Sequence, residues 1–149
     1  MTDLPDKILT DLGRVVIKAA DLESALGVLA GHTHGLNMMD VLGRPGGALR
    51  AARRAVDDMQ EAERQYFSPW IERAAELLTR RHLFVHAMWG SIAHATETPS
   101  ILAIHMRTFT HTPVDGPTLQ SFIDDLTETR RAIVHLLIAK INGRPLGEP

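Results

Sequence analysis

Ile8, Leu12, Val15, Ala19, Leu22, Leu26 and Leu29 follow one another at alternating spacings of four and three. That is a heptad seam over three repeats, and it predicts a long helix packed side by side with others. Pro5 suits a first-turn position, which puts the start near Leu4. Gly31 and Gly35 are the expected stop, with His32-Thr33-His34-Gly35-Leu36-Asn37 as a loop. A short helical turn is expected at Met38 to Leu42, ended by Gly43-Arg44-Pro45-Gly46-Gly47. A second, weakly apolar helix rich in Arg and Asp spans about Ala48 to Gln65. Ser68-Pro69 reads as a cap followed by a proline at the first helical position, opening a third helix that runs to about Trp89. One seam of that helix is Trp70, Ala74, Leu77, Phe84 and Met88; Leu78, Val85 and Trp89 form its neighbour.

Gly90 is the expected helix stop. Ile92 to Glu97 and Ile101 to Phe109 read as two short strands around Thr98-Pro99-Ser100, and Pro113 to Pro117 as a turn. Thr118 is the expected cap of a last helix that turns Leu119, Phe122, Ile123, Leu126, Ile133, Leu136 and Leu137 inward and closes at Asn142-Gly143 and Pro145. No repeat, low-complexity tract or interdomain linker interrupts residues 1–149. The expectation is a mainly α single domain: an up-and-down four-helix bundle with a small β-hairpin inserted before the last helix.

Composition narrows the function classes. The chain has 149 residues, 44% of them hydrophobic, enough for one domain with a core. It has no cysteine, which excludes a disulfide framework, a cysteine nucleophile and thiolate metal ligands, and fits a cytoplasmic protein. No apolar run approaches a membrane span, and the opening Met1-Thr2-Asp3-Leu4-Pro5 is unlike a signal peptide. A net charge of -2 argues against coating long nucleic acid, so any contact with it must be local. Of the 16 basic residues other than histidine, 13 are arginine, the better fork for phosphate, although a GC-rich genome produces the same bias.

The candidate chemistry lies in Thr79-Arg80-Arg81-His82-Leu83-Phe84-Val85-His86-Ala87-Met88-Trp89. At 100° per residue, Arg81, His82 and His86 sit at roughly 0°, 100° and 140°, within one sector of a helix that otherwise faces a core. Burying a cation costs several kcal/mol unless it is paired or used. Arg81 and His86 are about 7.5 Å apart along the axis, a gap the arginine side chain can close toward a shared ligand. The set suits phosphodiester cleavage in RNA. Arg81 would hold the non-bridging oxygens, and His86 would be general base or acid. His82 would orient the ligand or share the proton work. No carboxylate lies in the segment, so this chemistry needs no metal.

Arg81-His82-Leu83-Phe84-Val85-His86 resembles the R-x4-6-H signature of the HEPN superfamily, whose second position is typically Asn, Asp or His. A preceding arginine and a tryptophan three residues after the histidine match as well. The Leu-Gly-Arg-Val-Val and Asp-Leu-Glu-Ser-Ala-Leu-Gly stretches are similar to the first helix of small bacterial HEPN-like proteins. The resemblance implies an α-helical bundle that dimerises and places Arg81, His82 and His86 in the active site. It also implies a metal-independent ribonuclease without cofactors, of the kind found among toxins and antiviral effectors. A toxin of that kind would be met by an antitoxin partner protein such as a nucleotidyltransferase. Some members of the superfamily have lost activity, so the alternative is a catalytically silent helical dimer that binds a protein or a nucleotide.

Competing features are weaker. Arg130 and His135 repeat the Arg-x4-His spacing without a polar second residue or the tryptophan; they are a coincidence or a second surface of the same cleft. His82 and His86 have the spacing of two metal ligands, which His32, His34, His94 or His105 could join only through folding. Arg50, Arg53 and Arg54 suggest a basic stripe, but Asp57 and Asp58 lie four residues after the last two and would neutralise them. Arg44 stands in a glycine-rich loop that lacks the lysine and hydroxyl of a P-loop. Trp70 and Trp89 are expected as core or interface anchors. Ser24, Ser68, Ser91 and Ser121 have no acid–base partner recognisable from the sequence. The long seams offer more apolar edge than four helices and a hairpin cover, so a homodimer is expected.

Overall fold

A computed structural model describes residues 4–86, 88–92, 100–105, 107–108 and 110–147. Five helices and three strands follow in the order α1 (Asp6–His34), α2 (Met38–Leu42), α3 (Gly47–Asp57), α4 (Glu61–His86), β1 (Met88–Ile92), β2 (Ser100–Ile104), β3 (His111–Val114) and α5 (Gly116–Ile141). The fold is mainly helical, with a small antiparallel β element before the last helix, as the periodicity predicts. The helix α1 packs beside α3 and α5, and α4 closes the bundle against the same two. No helix among the described residues is long and apolar enough to cross a membrane.

The heptad seam of α1 is the spine of the core: Val15, Ala19, Leu22, Leu26 and Leu29 are fully buried. The helix runs past Gly31 because one interior glycine costs only about 1 kcal/mol. Gly35, at φ 64°, supplies the left-handed cap and donates its N–H to the Gly31 carbonyl at 2.8 Å. His32 and His34 are therefore helical, and His34 Nε2 lies 2.9 Å from Asp58 Oδ2. Asn37 caps α2 by accepting from the Met39 amide.

The expected second helix, Ala48 to Gln65, is two helices. The chain turns over Asp58–Gln60, where buried Met59 donates its N–H to the Val56 carbonyl, and α4 begins at Glu61. Ser68-Pro69 consequently lies inside α4 and starts nothing. An interior proline costs about 3 kcal/mol. Phe67 and Ile71, on either side of it, are buried at 0% and 2% exposure, and each recovers about 1.5–3 kcal/mol by leaving water. Burial keeps that segment helical.

At its far end α4 stops at His86 rather than Trp89, and Met88–Ile92 is strand. Of the second expected seam, Leu78 is in the core and Val85 is exposed, while the side chain of Trp89 lies outside those described. The predicted strand Ile92–Glu97 falls largely on residues outside those described. Strand β2 pairs antiparallel with β1 and with β3, giving a three-stranded meander in which Leu102 faces Pro113. A proline is tolerated there because β3 is an edge strand among the described residues. The predicted second strand ends at Ile104, where the His105 N–H donates to the Thr110 carbonyl and turns the chain. Ala103 and Val114 anchor the sheet on the core.

The cap of α5 is Asp115, not Thr118: its carboxylate accepts from the Thr118 amide at 2.6 Å. Hydrogen bonds from Thr118, side chain and backbone, hold the Asp115 carboxyl below the usual carboxylate range. Phe84 of α4 and Phe122 of α5 meet at a centroid distance of 5.2 Å and a tilt of 55°. Ion pairs between helices, Arg53 to Glu72, Arg73 to Asp125 and Lys140 to Glu63, bind α4 to its two neighbours. Phe122→Ala should cost about 3–5 kcal/mol in urea unfolding. A loss below about 1 kcal/mol would show that this contact is not the core between α4 and α5.

Candidate functional site

The last two turns of α4 carry Arg81, His82 and His86 to the mouth of a cleft of about 460 Å³. The opposite wall is the loop between α2 and α3, with Arg44 and Gly46, and Glu23 projects into it from α1. All three residues singled out in the sequence thus border one cleft. His82 and His86 are exposed, one helical turn apart, with ring centroids 4.3 Å from each other. Arg81 is partly buried, because its neighbours Leu77, Leu78 and Phe84 belong to the core.

Glu23 is the member of the site that the sequence does not announce. Arg81 Nη2 donates to Glu23 Oε1 at 3.3 Å, a contact across 58 positions. A good charge-assisted bond of this kind is about 2.7–2.9 Å, so the tie is loose. The Arg81 Nε is buried and has no hydrogen-bond partner among the described residues. Leaving a buried donor unmet costs about 1–3 kcal/mol. A guanidinium held by one long contact, with a second donor unused, is poorly explained as a structural clamp. The side chain as a whole is 27% exposed at the cleft, so its outer atoms, not the buried Nε, are what an anion arriving there would meet. Only the position of Glu23 in the heptad, between Leu22 and the next seam residue Leu26, could have hinted that it borders the bundle's inner edge.

The competing candidates lie elsewhere. Arg130 lines a groove of about 340 Å³ between α1 and α5, and His135 is exposed on α5; neither borders the Arg81 cleft. No group of three or more His, Cys, Asp or Glu side chains among the described residues could hold a metal ion. His105 accepts from the Thr108 amide in its own turn, and His94 lies outside the described residues. The expected pairs of Arg53 with Asp57 and Arg54 with Asp58 are not made. Arg53 instead forks onto Glu72 at 2.9 and 3.2 Å, and Asp58 takes His34. A carboxylate presented across a helix interface can accept both guanidinium nitrogens, which a neighbour on the same helix does less well. Ser24 donates to the Ala20 carbonyl on its own helix, and Trp70 is packed partly buried against the core; neither enters the cleft.

No family model, curated protein or solved structure matches this chain, so the reading of the cleft rests on its own residues.

A double-mutant cycle with Arg81→Ala and Glu23→Ala should return a coupling of at most about 1 kcal/mol in chemical unfolding, as partly exposed ion pairs do. A coupling above about 3 kcal/mol would make the pair a structural tie.

Proposed function

We propose that the chain is a metal-independent RNA endonuclease of HEPN type, cytoplasmic and acting as a homodimer. The observation that carries this reading is the convergence of Arg81, His82 and His86 on one open cleft, with the Arg81 guanidinium incompletely bonded. Arg81 would grip the non-bridging oxygens of the scissile phosphate and stabilise the charge that builds on them in the transition state. His86 would take the proton from the ribose 2′-hydroxyl as its oxygen bonds to phosphorus. The bond from phosphorus to the 5′-oxygen then breaks, and a protonated imidazole, supplied by His82, returns a proton to that leaving oxygen. The products are a 2′,3′-cyclic phosphate and a free 5′-hydroxyl. The balance requires neither a metal nor a redox partner. A toxin or antiviral role, with an antitoxin as partner protein, is the biological setting this chemistry fits.

The homodimer is supported by the outer faces of α1 and α5. Leu9, Val16, Ile17 and Val28 are exposed apolar side chains away from the buried seam of α1, and Ile138 and Ile141 are exposed on α5. Val28, Ile138 and Ile141 line one groove between α1 and α5, and an exposed apolar surface that is contiguous marks an interaction site.

A second reading is favoured by Glu23: a carboxylate already neutralising Arg81 suits a catalytically silent dimer that binds a protein or nucleotide. Activity decides between the two. Arg81→Ala and His86→Ala should each lower RNA cleavage at least about 100-fold while far-UV circular dichroism stays helical, and EDTA should change nothing. Equal cleavage by wild type and both variants would remove the enzyme reading. In sedimentation equilibrium at micromolar concentration the wild type should be a dimer and Ile17→Glu with Ile138→Glu a monomer; a monomeric wild type contradicts the dimer.

A further inference from the structure

Two stripes of side chains run along the groove between α1 and α5, and both keep the spacing of a helix seam. On α1, Ile17, Asp21, Ser24 and Val28 follow one another at intervals of four, three and four. On α5, Arg130, Val134, Leu137 and Ile141 repeat those intervals. From Asp21 and Arg130 onward the two stripes line one groove of about 340 Å³. Such spacing belongs to helices that pack side by side with others. Here it recurs on the outside of the bundle, although α1 already buries a separate seam from Val15 to Leu29. Ile17, Val28 and Ile141 are exposed, and buried Leu137 forms the floor.

Opposite charges stand at one end of this groove. Arg130 is exposed and takes part in no ion pair among the described residues. Asp21 has only Lys18 of its own helix, at 3.8 Å. Helices α1 and α5 start side by side: the Lys7 Nζ lies 3.6 Å from where a Gly116 Cβ would stand. Asp21 and Arg130 are each fourteen positions further on, so they share about the same height. A two-fold axis lying along the groove turns α1 of one copy onto α5 of the other and preserves height. Asp21 then meets the partner's Arg130, and Arg130 meets the partner's Asp21. The groove and the Arg81 cleft lie on opposite flanks of α1. Asp21 and Glu23 stand one residue before and after buried Leu22, about 100° to either side of it. Asp21 borders the groove, Glu23 borders the cleft, and no residue lines both.

We propose that the groove is filled by a second copy of this chain, docked through two reciprocal pairs of Asp21 with Arg130, so that the two Arg81 clefts face away from the interface and each is complete within one chain. The occupant rests on the homodimer of the functional reading; the contact and the separateness of the clefts go beyond it. Charges beside an apolar helix seam set the partner and its orientation more than they add affinity. A two-fold axis across the helices would instead lay α1 on α1 and leave Asp21 without the partner's arginine.

Charge exchange tests the contact in sedimentation equilibrium. Asp21→Arg and Arg130→Asp should each weaken self-association at least about 10-fold while far-UV circular dichroism stays helical. Mixed in equal amounts, the two variants should form a heterodimer within about 3-fold of wild-type affinity, because each contact again joins a cation to a carboxylate. A wild type that dimerises while neither variant is weakened, or while the mixture gains nothing, puts the interface elsewhere and overturns the proposal with the homodimer intact. A monomeric wild type removes both. The chain has no cysteine, so His82→Cys introduces a lone thiol at the cleft. Mild oxidation of that variant should leave its dimer unlinked on a denaturing gel. Rapid disulfide linkage would show that the two clefts meet and would overturn their separateness. Neither readout uses RNA, so both are independent of the ribonuclease.

Discussion

The molecule is organised around a cation that it holds but does not satisfy. Arg81 leaves the core-facing side of α4, between buried Leu77 and Phe84, and reaches one carboxylate oxygen of Glu23 at 3.3 Å while its Nε stays buried and unmet. A fold selected for stability alone would have replaced the pair with apolar side chains, often with no loss. Everything adjacent follows from keeping that charge in place. The seam of α1 must present Glu23 at the right height, and α4 must remain helical through Pro69 to deliver Arg81. The loop from α2 to α3 must stay back so that the guanidinium faces open space.

That requirement links the packing to the chemistry. The phenylalanine contact between α4 and α5 and the ion pairs Arg53 to Glu72 and Arg73 to Asp125 fix α4 in rotation and height. A helix so fixed presents His82 and His86 on one exposed side as a close pair whose rings are tilted by 48°. The end of α4 at His86 matters too. The last imidazole stands at the end of the helix and borders the cleft.

Much of the architecture was legible because helix periodicity is a strong signal. The four-three spacing from Ile8 to Leu29 specifies α1, and the inward residues from Leu119 to Leu137 specify α5. The boundaries were harder, since local signals there compete with burial. Ser68-Pro69 has the form of a helix start, but Phe67 and Ile71 are core residues and outweigh the proline. Gly31 has the form of a stop, but Gly35 supplies a better one. Within the site, Arg81, His82 and His86 were readable because they share one helix face. Glu23 was not, since what makes it part of the cleft is a contact across 58 positions, and Arg44 was visible only as a cation in a glycine-rich loop, which the fold brings to the cleft wall. Arg53 shows the same limit: its partner lies across a helix interface rather than four residues along its own helix.

The unmet Nε of Arg81 is also the most direct probe of the account. Its N–H has a resolvable signal in ¹⁵N-edited NMR, and a 2′-O-methylated RNA oligonucleotide would occupy the cleft without being cut. The account predicts that saturating oligonucleotide moves the Arg81 Nε–H resonance. A resonance that stays in place while the oligonucleotide binds would mean that Arg81 serves the scaffold and that the anion is held somewhere else.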